Sequence, residues 1–140
     1  MEAGPRLRIK LYEGWKPIEN PRGGPTYGRS GSRVSGALQF SVTTYKAGVL
    51  PNSTESQLIE TCKSLATKSG LNRVVREQTG NCDFGIFGTV AARGEDGRYM
   101  QIWVVSNRQD FILVTHSCTS EPDPNEVEEA AGIALMVGYR

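Results

Sequence analysis

Histidine is nearly missing from this chain, with His116 its only one. Basic excess is missing too: 16 Lys and Arg stand against 15 Asp and Glu, a formal charge of +1. Nucleic acids and anionic membranes select for a strong basic excess, so neither is the expected partner. No apolar run reaches the ~18 residues of a membrane-spanning helix. The opening MEAGPRLRIKLYEGW has no apolar segment of the kind a signal peptide carries. Cysteine is sparse and odd in number: Cys62, Cys82 and Cys118. An odd count without a visible signal peptide fits reduced thiols in the cytoplasm. A phosphate-cradling loop is absent, since Gly23-Gly24 and Gly28-x-x-Gly31 lie in a proline-rich stretch with no helix directly after. Repeats and low-complexity tracts are also lacking, and residues 1–140 read as one domain with one core.

What the chain does have is a dense run of strand signal. DFGIFGTVAAR, RYMQIWVVSN and DFILVTHSC are separated by the polar turns Gly94-Glu95-Asp96-Gly97 and Arg108-Gln109. They predict a three-strand antiparallel meander. On its central strand Tyr99, Gln101, Trp103 and Val105 share one face; Met100, Ile102 and Val104 share the other, so both faces call for cover. The turns put Ala92 near Arg98 and Ser106 near Asp110. Cys82 and Cys118 then sit at opposite ends, about 30 Å apart at ~3.3 Å per residue, too far for a disulfide.

Upstream, residues 6–12 (RLRIKLY) alternate basic and apolar, which predicts an edge strand ended by Gly14-Trp15. Residues 16–35 are rich in proline and glycine and read as a long loop, with room for a short strand at residues 26–29. Residues 36–45 (GALQFSVTTY) read as a strand, residues 72–78 as another, and Gly80-Asn81 as a turn. Thr54-Glu55-Ser56-Gln57 matches a capping box; Leu58, Ile59, Cys62, Leu65 and Ala66 follow as one apolar stripe, with Gly70 at the C-terminal cap. The last helix opens on Asp123 as N-cap, Pro124 at N1 and Glu126 at N3. Glu126, Glu128 and Glu129 complement its positive end. Val127, Ala130, Ala131, Ala134 and Val137 or Gly138 form a small-residue face.

Chemistry is harder to find. His116 and Cys118 share a strand face, but the pair lacks the third and fourth ligands that zinc needs. Cys62 reads as core, and Asp83 beside Cys82 raises rather than lowers a thiol pKa. Trp15, Tyr27, Tyr45, Tyr99, Trp103 and Phe111 either fill the core or line an aromatic groove. No catalytic set, metal site or cofactor is expected.

The order of elements, with Gly36-Ala37-Leu38-Gln39-Phe40-Ser41, Gln101-Ile102-Trp103 and Phe111-Ile112-Leu113-Val114-Thr115-His116-Ser117-Cys118, resembles the PsbP-like fold. That fold is shared by the extrinsic photosystem protein PsbP, a nuclear-import factor that binds the GTPase Ran, and small bacterial proteins. The resemblance spans residues 7–137. It implies an α/β/α sandwich around an antiparallel sheet, and none of the family's partner-binding residues has a matching motif here.

The reading is an α+β protein: a mostly antiparallel sheet of about five to six strands flanked by two helices. Its expected role is non-enzymatic docking of another protein, with Arg22, Tyr27, Arg29 and Arg33 of the long loop as partner-binding residues. The rival is a small-molecule binder or enzyme with Tyr27, Tyr45 and His116 between sheet and loop. The same loop could instead pack Trp15 and Tyr27 over the sheet as a lid on the core.

Overall fold

The computed structural model describes residues 7–19, 24–31, 36–44, 54–108 and 110–139. Along the chain these form β1 (Leu7–Arg8), β2 (Trp15–Pro17), β3 (Thr26–Arg29), β4 (Ala37–Thr44), α1 (Glu55–Lys68) and β5 (Arg73–Cys82). β6 (Gly85–Arg93), β7 (Tyr99–Ser106), β8 (Asp110–Cys118), α2 (Pro124–Leu135) and β9 (Gly138–Tyr139) follow. Seven strands make one sheet in the order β2-β3-β4-β8-β7-β6-β5, every neighbouring pair antiparallel. The expected meander is present and gains β5 as a fourth strand. Its turns close at Arg93↔Tyr99 and Ser106↔Phe111, slightly offset from the pairs expected.

The period-two alternation does what it should. Leu38, Phe40, Trp103, Val105, Ile112 and Val114 point to one face and are buried under Ala130, Ile133 and Ala134 of α2. Val90, Ala92, Ile102 and Val104 point to the other, under Leu58, Ile59, Cys62 and Ala66 of α1. The result is the helix–sheet–helix sandwich expected. Gly88 makes the α1 layer close: a Cβ there would sit 2.8 Å from the Leu58 Cβ, so only glycine admits the helix. The aromatic groove is not formed by Trp15, Tyr99 and Trp103, which are all buried in the core.

Four sequence expectations need correction. Residues 7–12, the described part of that run, are not an edge strand of the large sheet. Among the described residues of the run only Leu7 and Arg8 pair, with Tyr139 and Gly138, and Leu7 and Ile9 pack onto the α2-side core. Trp15 begins a strand instead of ending one: β2 and β3 form a hairpin that joins β4, so the long loop is partly sheet. Gly80-Asn81 lies inside β5, and the turn falls at Asp83-Phe84. Gly80 is there because a Cβ would come within 2.9 Å of the Phe87 ring across the ladder. Lastly, Glu126 is more than a charge complementing the start of α2; it is completely buried.

Both helix starts match their signals. Thr54 and Gln57 form the reciprocal capping box, and Gly70 follows the Ser69 cap at φ +82°. Asp123 accepts from the Asn125 amide at 2.8 Å with Pro124 in the first turn. Asp123→Ala is expected to destabilise by about 1 kcal/mol through loss of that cap, read as a lower urea midpoint at unchanged slope.

Candidate functional site

The most concentrated chemistry lies where the C-terminal end of β8 meets the first turn of α2. His116 and Cys118 are two apart on β8, so their side chains share the face that α2 covers. Glu126 continues the buried stripe of α2, four residues before Ala130 and eight before Ala134, and comes down onto them. The His116 Nε2 lies 2.6 Å from the Glu126 Oε2 and 3.7 Å from the Cys118 Sγ. Gly36 closes the third side, its amide donating to the same Glu126 oxygen at 2.8 Å. A Cβ on Gly36 would sit 2.5 Å from the Cys118 Sγ and 2.9 Å from the His116 Nε2, so the backbone approaches as only glycine can. The Trp15 and Tyr99 rings flank the imidazole, each with its centroid 6.4 Å away.

A second, wetter layer ties the β2–β3 hairpin to α2. Glu129 accepts from the Trp15 indole at 2.8 Å and from the Arg29 Nε at 3.0 Å, and Arg29 also lies 3.6 Å from Asp123. The indole hydrogen bond and then the guanidinium hold the Glu129 carboxyl below its usual range. On the far side of the cluster Arg93 pairs with Glu121 and stacks over Tyr99, 5.4 Å from its centroid.

This geometry is wrong for nucleophilic catalysis. In a Cys–His–acid triad the acid orients one ring nitrogen while the other serves the nucleophile. Here thiol and carboxylate crowd the same Nε2. Burial, then the nearby carboxylates Glu126 and Glu121, push the Cys118 thiol up to about 12. Neither His116 nor Glu126 has any solvent-accessible side-chain surface. Burial also lifts the Cys62 thiol to about 12 and raises Cys82. A thiol reagent at neutral pH is therefore expected to label half-buried Cys82 first, and to count three thiols only after unfolding without reductant. A count of one would reveal a disulfide and contradict the three free thiols of the structure.

The sequence-derived candidates scatter. His116 is in the cluster. Tyr27 is half-buried, edge-on to Phe40 with centroids 6.1 Å apart, and Arg29 is tied to α2. Arg22, Arg33 and Tyr45 lie outside the described residues. An open cleft of about 660 Å³ lies elsewhere, lined by Asn72, Arg73, Arg93, Gly94, Ser120 and Glu121, among others.

Known structures share this architecture. The solution structure of cyanobacterial PsbP (CyanoP) from Synechocystis sp. PCC 6803 superposes with a TM-score of 0.62 at 13% identity, over 99% of this chain and 95% of that one. The fold is PsbP-like. A crystal structure from Bacteroides thetaiotaomicron VPI-5482 matches with a TM-score of 0.54 at 12% identity, covering 96% of this chain and 45% of that one. No protein-family profile and no curated protein matches the sequence. At such identities the PsbP-like likeness concerns backbone layout. No helix among the described residues is long and apolar enough to cross a membrane.

Proposed function

We propose that this chain is a non-enzymatic protein-interaction module that docks an extended segment of another protein along the outer edge of β5. One observation carries the reading: β5 is ten residues long, ends the large sheet, and is exposed from Arg73 to Thr79. An edge strand offers unpaired amides and carbonyls to any extended chain that approaches. Its first half is blunted by a bulge between Val74 and Arg76 and by Arg73, Arg76 and Glu77. Beyond the bulge the ladder runs regularly from Arg76 to Cys82, and residues 78–82 carry no charge. Val74 and Val75, 39% and 42% exposed, add apolar contact beside it. The burial of the His116 cluster, with its raised Cys118 thiol, supports docking over the rival enzyme.

The β2–β3 hairpin is the second surface, favoured by exposed Ile18 at the other end of the sheet, with Tyr27 and Arg29 on it and Arg22 and Arg33 nearby in sequence. The test starts from a partner captured with the native chain. Val74→Lys with Val75→Lys is expected to weaken binding at least tenfold with the melting temperature unchanged. Arg22→Ala with Arg33→Ala is expected to leave it within twofold. The opposite pattern moves the docking site to the hairpin.

A further inference from the structure

We infer that His116, Cys118 and Glu126 form a binding site for a zinc-class divalent cation, clamping β8 to the start of α2. The three offer one imidazole nitrogen, one sulfur and one carboxylate oxygen, all within 4.8 Å of one another and all from buried residues. This nitrogen, sulfur and oxygen set matches what zinc accepts, and three protein ligands leave one tetrahedral corner for water.

The distances support the assignment. With Zn–S of about 2.3 Å and Zn–N of about 2.0 Å, two ligands of a tetrahedral ion lie about 3.6 Å apart. The Cys118 Sγ and the His116 Nε2 are 3.7 Å apart. The Nε2–Oε2 contact, 2.6 Å, is at present a hydrogen bond and must lengthen by about 0.8 Å to span a metal. The Glu126 carboxylate sits at the end of a side chain on the first turn of a helix, where a small rotation supplies that change.

The surroundings suit an ion. With a metal on Nε2, the ring proton moves to Nδ1, the tautomer a ligating imidazole needs. The Gly36 amide already holds the carboxylate from behind, an outer contact of the kind that orients metal ligands. The cleft lined by Arg93, Ser120 and Glu121 lies at the end of the sheet where Arg93 pairs with Tyr99 and Tyr99 with Cys118. Since the site is walled by backbone and aromatic rings, the ion's role is structural, and the docking of a partner on β5 does not depend on it.

Cobalt(II) is the probe, because it takes zinc sites and reports thiolate ligation by a charge-transfer band in the near ultraviolet. The chelator-treated chain is titrated with cobalt(II), then with zinc. One equivalent is expected to bind with a thiolate band that zinc abolishes, and zinc is expected to raise the melting temperature. Cys118→Ser should lose the band, Cys82→Ser should keep it, and Glu126→Gln should weaken binding at least tenfold. Cys118→Ala serves if the serine variant does not fold. No thiolate band with the native chain, or a band that survives loss of Cys118, overturns the proposal.

Discussion

Trp103→Ala is expected to cost about 3–5 kcal/mol, the range for emptying a large aromatic from a packed core. Trp103 is 1% exposed, lies between Thr89 on β6 and Val114 on β8, and belongs to the cluster capped by Ala130, Ile133 and Ala134. Small residues on α2 let the helix lie close over the indole, and they cannot expand to refill the space. Urea denaturation followed by circular dichroism reads the loss directly. A change below ~1 kcal/mol would mean that α2 does not pack over this face, and the sandwich would be wrong on that side.

Glu126→Ala, measured in the presence of chelator, is expected to cost a similar amount, about 3–5 kcal/mol. The substitution leaves the Gly36 amide and the His116 Nε2, both buried, without the oxygen they share. Removing one partner of a buried pair costs far more than the pair's net contribution, because the survivor remains desolvated. Glu128→Ala is the control on the same helix, with an expected change within ±0.5 kcal/mol. Equal, small effects of the two would return Glu126 to the role of an exposed helix-start charge.

That role is how Glu126 reads in sequence, and the reason is instructive. An acid at N3 is fully explained by the helix terminus. What distinguishes it is tertiary: its partner lies ten residues upstream on another element. One signal was available. Glu126 falls four before Ala130 and seven before Ile133, on the stripe that a helix buries. The meander and α1 were legible because alternation, turns and a capping box agree locally. Of the β2–β3 hairpin, the short strand at residues 26–29 was legible, but β2 and the pairing were not, since Pro17, Pro21 and Pro25 weaken any strand signal and the pairing with β4 is made at long range. Gly80-Asn81 misled because glycine in a turn and glycine beneath an aromatic ring look alike until Phe87 is placed across from it. The site followed the same divide: His116 and Cys118 were visibly on one face, while Gly36 and Glu126 joined them only through the fold.

The central claim is that β5 presents an edge for a partner's extended segment. Amide hydrogen exchange on the free chain and on its complex with a captured partner tests it most directly. Fast exchange on part of β5 in the free chain, slowed at least tenfold on residues 76–82 in the complex, is the predicted result. Protection of the outward-facing β5 amides already present in the free chain, or protection on binding confined to the β2–β3 hairpin, would contradict it.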